Sequence, residues 1–221
     1  MTRENKSSHH MGRLEVICGS MFSGKTEELI RRLKRADYAN QKVLALKHHL
    51  DKRRAATPTH LTSHAGNERF AFMVGDNIFG IEKILEMATN DIAVIGIDEV
   101  QFFSSEIVDV ICLLIEQGKR VIVAGLDLDF RGEPFGTMPT LMALADEVTK
   151  LKAICTRCGH DAHYNQRLIN GDPAKYDDPL ILVGAAECYE ARCRACFVIN
   201  KLKKEFIFKK PTNVLKQEAA E

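Results

Sequence analysis

The stretch GSMFSGKT, residues 19–26, limits what this chain can fold into more than any other part of it. It fits the pattern G-x-x-x-x-G-K-[ST], with Gly19, Gly24, Lys25 and Thr26 at the fixed places. The apolar run RLEVIC precedes it and EELIRRLKRA follows. A strand entering such a loop and a helix leaving it turn successive backbone N–H groups inward, which makes a concave anion site at the helix N-terminus. Here the loop residues are Gly19, Ser20, Met21, Phe22, Ser23 and Gly24. The chemistry assigns Lys25 to the β- and γ-phosphates of a bound triphosphate and the Thr26 hydroxyl to Mg²⁺. What receives a phosphate, if anything does, is not in the loop.

Four apolar runs read as buried parallel strands: RLEVIC, KVLALK (42–47), DIAVIGID (91–98) and RVIVAGLDLD (120–129). They are short, nearly continuous and rich in β-branched residues, as strands covered on both faces are. Between them Leu29, Ile30, Leu33 and Ala36 share one helical face, and Ile78, Ile81, Leu85 and Ala88 share another. Ile107, Ile111 and Leu114 form a third, with Asp76 and either Ser104 or Ser105 as candidate N-caps. This alternation predicts an α/β fold with a parallel sheet. From about residue 150 it stops, and paired cysteines take over. The reading divides the chain into a disordered tail 1–11, a P-loop α/β domain 12–150, a metal-stapled lobe 151–205 and a loose polar tail 206–221.

In IDEVQFF, Asp98 closes an apolar strand and Glu99 follows it. P-loop enzymes need an acidic residue at the end of a neighbouring strand to hold the metal and its water. Two adjacent carboxylates there divide the work, Asp98 ordering the metal and Glu99 taking a proton from an attacking hydroxyl. Standing alone, Glu99 would read as a loop cap; beside a P-loop the catalytic reading is the stronger. The pair suits a hydrolytic ATPase equally well.

Cys155-x-x-Cys158 and Cys193-x-x-Cys196 offer four thiolates for tetrahedral Zn²⁺ in a closed structural site. The 34 residues between the pairs exceed the usual spacing of about 15–20, so the ribbon should carry an inserted loop within 165–189. The polar N-terminus has no apolar h-region of a signal peptide, which points to the cytoplasm, where such pairs mean metal rather than disulfides. His160 and His163 lie near the first pair, but four cysteines already fill the shell. Cys18 and Cys112 sit in apolar runs and read as core, and Cys188 has no assignment. With 45% hydrophobic and 28% charged residues and a net charge of +1, the chain reads as a soluble globular protein and not a nucleic-acid coat. It has no apolar run long enough to span a membrane.

Taken in order, GSMFSGKT, IDEVQFF, GLDLDFRGEPFG (125–136) and the paired C-x-x-C units with GAAECYEARCRAC resemble the cytosolic, zinc-containing thymidine kinases, from about Gly12 to about Lys201. The P-loop is common to many families; the ordered set is specific. The resemblance implies a RecA-like core, a small C-terminal zinc-ribbon lobe whose long loop closes over the nucleoside as a lasso, and a homotetramer. It implies transfer of the γ-phosphate of ATP to the 5′-hydroxyl of thymidine with Mg²⁺, giving dTMP, and feedback inhibition by dTTP. By motif match Glu99 is the general base, and Lys25, Thr26, Asp98 and Gln101 belong to the nucleotide and metal side. Phe102, Leu126, Phe130 and Phe135, joined by Met21, resemble the residues around the thymine ring. Leu182, Val183, Gly184 and Tyr189 match the lasso, whose backbone groups bond the base, with Tyr189 near the sugar.

The residues agree with that chemistry. A flat, neutral pyrimidine needs apolar and aromatic walls, and Phe130 and Phe135 follow the carboxyl end of a strand, where α/β folds bind ligands. Their polar, turn-prone neighbours predict a surface loop rather than core packing. Three details depart from the pattern or stay open. Ala65 stands where some members carry Asp, Asn165 stands where Thr is more usual, and Arg131 and Arg167 are both candidates to neutralise phosphate. The P-loop should be held by the sheet and not need the zinc lobe. The alternative is a zinc-ribbon P-loop ATPase acting on nucleic acid. It lacks support from a basic stripe, since KRR (52–54) and KLKK (201–204) are short.

Overall fold

Alternation along the first strand decides the two faces of the sheet. In β1 (Arg13–Gly19), Leu14, Val16 and Cys18 enter one buried cluster and Ile17 enters another. The computed structural model describes residues 11–49, 60–62, 66–75, 78–181 and 187–199. After β1 come α1 (Lys25–Tyr38), β2 (Lys42–His48), β3 (His60–Thr62), β4 (Glu68–Phe70) and β5 (Phe72–Val74). Next are α2 (Ile78–Met87), β6 (Ile92–Asp98), α3 (Glu106–Glu116), β7 (Arg120–Gly125), α4 (Met138–Leu144) and β8 (Glu147–Leu151). Six parallel strands form the main sheet in the order β5-β2-β6-β7-β1-β8.

Helix α1 covers one face with Leu29, Ile30, Leu33 and Ala36, packed on Ile17, Ala45, Val94 and Ile122. Helices α2, α3 and α4 cover the other through Ile81, Ile84, Ile107, Ile111, Leu114, Met138 and Leu141. Burial on both faces is what the near-continuous apolar strands require. Among the described residues, no helix is long and apolar enough to cross a membrane.

The fourth expected strand, 120–129, is shorter than its sequence pattern. It ends at Gly125 because Leu126 gives its N–H to the side-chain oxygen of Gln101, at 3.1 Å. The chain then folds back on itself, with Phe135 donating to the carbonyl of Asp127 and Asp129 to that of Glu133. The edge strands β5 and β8 were not foreseen: β5 is very short and β8, EVTKL, is mostly solvent-facing. Ser105 is the N-cap residue of α3, without a side-chain cap bond, while Asp76 lies outside the described residues.

Beyond β8 lies a smaller lobe of β9 (Ala153–Ile154), β10 (Asp161–Ala162), β11 (Tyr164–Ile169), β12 (Asp172–Pro173) and β13 (Glu187–Arg192). Strands β9 and β10 pair antiparallel, and β11 pairs antiparallel with both β12 and β13.

At the amino edge of the sheet the buried Glu15 carboxylate collects three arginines. Arg120 reaches it at 2.6 Å, Arg32 at 2.8 Å and Arg13 at 2.8 Å. Burial alone would raise its pKa, but Arg120, Arg32 and Arg13 outweigh it and hold the group below its usual range. Glu28, bonded to Arg31 and Arg32, is lowered to about 2. Both carboxylates therefore favour the folded state above their unfolded pKa, near 4.3, and lose that contribution as pH falls through their lower folded values. Arg32→Met should destabilise the protein at neutral pH by about 2 kcal/mol. That is less than the roughly 3–5 kcal/mol of breaking a buried pair outright, because Arg13 and Arg120 remain. In denaturant titrations the gap from wild type should close from about pH 4 towards pH 2. A gap constant over that range would remove the two carboxylates as its cause.

Candidate active site

The carboxyl edge of the sheet gathers the ends of β1, β6 and β7. From β1 the chain makes its phosphate-type loop through three left-handed or otherwise positive-φ residues: Gly19 (φ 142°), Phe22 (φ 65°) and Gly24 (φ 85°). At Gly19 a Cβ would stand 2.3 Å from the carbonyl oxygen of Leu151, so no larger residue fits. Gly24 caps α1, and its carbonyl accepts the Glu28 N–H at 2.9 Å. Lys25 is buried and its ammonium is folded onto the Ser20 carbonyl at 2.8 Å. The Thr26 hydroxyl donates to Asp98 at 2.9 Å. A short chain of contacts thus joins the loop to the end of β6.

Glu99 is the residue after that strand end, and it is strained. Its backbone is left-handed (φ 54°, ψ 41°) although it carries a full side chain. Such a conformation costs on the order of 1–3 kcal/mol and persists where the surroundings impose it. Here they do: the Glu99 N–H donates to Asp98 at 3.0 Å, and the Gln101 amide nitrogen donates to the Glu99 carboxylate at 2.5 Å. Gln101 also accepts the Leu126 N–H, so one buried amide ties the end of β6 to the loop after β7. Gly136 makes room for this turn, because a Cβ there would lie 2.3 Å from the Gln101 carbonyl oxygen. Asp98 and Glu99 are only 1% and 7% exposed, a dry setting for two carboxylates.

Beside Glu99 stands an aromatic wall. Phe102 gives its N–H to the Glu99 carbonyl at 3.1 Å, and its ring meets that of Phe135 edge-on at 5.7 Å. Phe130 and Phe135 belong to the loop expected at the surface, yet both rings are buried. The loop turns them inward: Asp129 accepts the N–H groups of Arg131 and Glu133, closing a tight turn beneath them. Burial pushes the Asp129 carboxyl up from its ordinary value. Leu126 is half-buried beside this wall.

The smaller lobe is bonded to the P-loop, contrary to the expectation of an independent loop. Asn165 on β11 accepts the Met21 N–H at 2.7 Å and donates to the Leu128 carbonyl at 2.7 Å. The Ser20 hydroxyl reaches the Ala162 carbonyl at 3.3 Å. Arg131 holds the Asp178 carbonyl at 2.9 Å, and Arg167 is fully buried against Phe130. Tyr189 lies on β13 opposite Arg167, half-buried. Leu182, Val183 and Gly184 lie outside the described residues, as does Ala65.

Cys155, Cys158, Cys193 and Cys196 come together with all four sulfurs within 4.8 Å of one another, a set able to bind a metal ion. Burial raises the Cys155 thiol, but backbone N–H groups around it outweigh this and lower it to about 6. Hydrogen bonds that the Cys196 thiol gives to Cys158 and Cys193 push it the other way, to about 12. Four sulfurs this close cannot all ionise unless a cation shares them. Cys18 is buried, and burial followed by Asp127 pushes its thiol to about 11, so it stays neutral core. Cys112 is only half-buried on α3, and Cys188 is exposed. A hollow lined by Arg35, Ala36, Tyr38 and Arg120 lies at the opposite edge of the sheet and contains none of the site residues.

Three of these linkages were not visible in sequence. The Gln101 amide is engaged with Glu99 and Leu126, partners that its place in the motif does not indicate. Asn165 and Arg167 sit at alternate positions of β11, a period-2 signal in YNQRLI that marks a face but not its partners.

The comparisons with known proteins cover the same span. The family model described as "Thymidine kinase" matches residues 12–197. A protein named "Thymidine kinase" from Coprothermobacter proteolyticus is 60% identical over 182 residues, which is 82% of this chain and 88% of that protein. The matched span takes in the P-loop, the strained Glu99, the Phe130 loop and all four clustered cysteines, and on it the chain belongs to the thymidine kinase family.

Proposed function

We propose that this protein transfers the γ-phosphate of ATP to the 5′-hydroxyl of thymidine, giving dTMP and ADP. The observation that carries the reading is Glu99, a carboxylate held in a strained turn between the Thr26–Asp98 pair and the Phe102–Phe135 wall. The triphosphate occupies the nest of Gly19 to Gly24, with Lys25 leaving the Ser20 carbonyl for the β- and γ-phosphates. Thr26 and Asp98 fit a Mg²⁺ site, being oxygen donors already paired at 2.9 Å. Held there with the triphosphate, such an ion would neutralise charge on the transferring group. Glu99 takes the proton of the acceptor hydroxyl, and Gln101 orients its carboxylate for this. Leu126, Phe130, Phe135, Phe102 and Met21 wall the thymine ring. Leu182, Val183, Gly184 and Tyr189 are further candidates to contact the nucleoside, the first three lying outside the described residues.

The RecA-like reading of the core is supported by its all-parallel sheet, in which β7 alone separates the P-loop strand from the Asp98 strand. The four thiolates suit Zn²⁺, which takes tetrahedral sulfur sites at about 2.3 Å. The reading carries with it a homotetramer and inhibition by dTTP. Analytical sedimentation and competition against each substrate test these two. Nothing in the family match favours the nucleic-acid ATPase alternative. The direct test is a screen of all natural nucleosides as acceptors with Mg·ATP: thymidine should be preferred, and a purine preference would reject the assignment.

The metal's loss should damage the acceptor side first. A Zn²⁺ ion held by Cys155, Cys158, Cys193 and Cys196 would fix both ends of the segment between Cys158 and Cys193 and remove loop entropy from the binding step. Cys193→Ser should therefore weaken thymidine binding sharply. ATP binding should fall less, through the Met21–Asn165 and Ser20–Ala162 contacts alone. Calorimetry of each ligand on folded variant checks this, and unchanged thymidine affinity would mean that the lobe orders without the metal.

A further inference from the structure

Arg167 on β11 has a side chain that is 0% exposed, and it is the bulkiest of the fully buried ones. Its guanidinium carbon lies 3.5 Å from the centre of the Phe130 ring. Nη1 donates to the carbonyls of Pro179, at 2.8 Å, and Leu180, at 3.4 Å. Nε and Nη2 are buried and have no hydrogen-bond partner among the described residues. A cation placed in the interior against neutral carbonyls, with donors to spare, is unfavourable unless something completes its bonds.

The neighbours of those donors narrow what that can be. Asn165 and Arg167 lie on the same face of β11, two residues apart. Asn165 uses that face to hold Met21 of the P-loop and Leu128 of the Phe130 loop. Arg167 uses it to stack on Phe130 itself. The spare N–H groups therefore lie beside the Phe130 ring, which the proposed function places in the acceptor wall. A pyrimidine nucleoside brings carbonyl and hydroxyl oxygens to that wall, and each is a ready acceptor for a guanidinium donor.

We propose that Arg167 is a specificity-determining residue of the acceptor site. Its Nε–H and Nη2–H groups complete their bonds on oxygen atoms of the bound nucleoside, while its stack on Phe130 and its grip on Pro179 and Leu180 keep the pocket in shape. The inference rests on the nucleoside-kinase reading above.

Arg167→Lys keeps the charge but loses the planar fork. It should raise the KM for thymidine about ten- to a hundredfold, with KM for ATP unchanged. Loss of stability with both KM values altered alike, or an unaltered thymidine KM in an active enzyme, overturns the proposal. If the variant does not fold, the wild type still answers. The Arg167 side-chain ¹⁵Nε–H resonance should shift and exchange more slowly on adding thymidine, and not on adding ATP. A resonance that thymidine leaves unmoved would mean that the nucleoside does not reach the donor, and a response to ATP alone would make the ligand a phosphate; either result overturns it. Wild-type protein with no thymidine-dependent ADP formation would instead refute the kinase reading, and this inference with it.

Discussion

Glu99→Gln should reduce kcat by about 10²–10⁴-fold, the contribution of a positioned general base, while leaving the affinities for ATP and thymidine near those of the wild type. The acceptor hydroxyl is a poor nucleophile until its proton has somewhere to go, and glutamine cannot take it. The substitution is nearly isosteric, so the Glu99 backbone keeps its bond to Asp98 and the carboxamide oxygen can still accept from Gln101. Binding should therefore survive the loss of chemistry. Steady-state kinetics with equilibrium binding of each substrate separates the two. A variant with near-normal kcat would remove Glu99 from the role of base; one with lost thymidine binding would make it a binding residue.

Lys25→Met should act differently. The ammonium is buried beside the loop and held on the Ser20 carbonyl, so in the proposed reaction it would reach the phosphates by a change of side-chain torsion with the backbone already in place. Methionine fills a similar volume without charge. Removing one preorganised donor to developing negative charge typically lowers kcat by about 10²–10³-fold, and here ATP affinity should fall as well, since the same charge meets the ground-state triphosphate. Thymidine affinity should stay unchanged, because the proposed acceptor wall draws on Phe102, Phe130 and Phe135, which follow other strands. Loss of kcat with unaltered ATP affinity would confine Lys25 to the transition state.

The contrast between these two residues reflects what a sequence carries. Lys25 lies in a motif whose residues are neighbours in the chain, so its surroundings can be read from eight letters. The parallel core was legible for a similar reason: strands buried on both faces, such as β6 and β7, are apolar almost throughout. The edges were not. In β8 the burial alternates weakly, and in β5 the strand is too short to set a period. The two cysteine pairs announced a shared site because spacing within each pair fixes a knuckle, and the structure brings all four sulfurs together.

What escaped the sequence is the set of contacts between distant segments. Leu126 reads as the continuation of a strand until Gln101, far earlier in the chain, takes its N–H. The Phe130 and Phe135 rings read as surface because their neighbours are polar. Yet those polar groups are spent on the turn, with Asp129 accepting two backbone N–H groups. The dependence of the P-loop on Asn165 was likewise hidden, since one asparagine reaching a backbone N–H leaves no periodic trace.

The most direct measurement follows ADP and nucleotide product together in the wild-type protein supplied with Mg·ATP. ADP should form only when thymidine is present, in equal amount with dTMP, and transfer should stop when Mg²⁺ is chelated. ADP released at the same rate without thymidine, with no dTMP accumulating, would contradict phosphoryl transfer to a nucleoside.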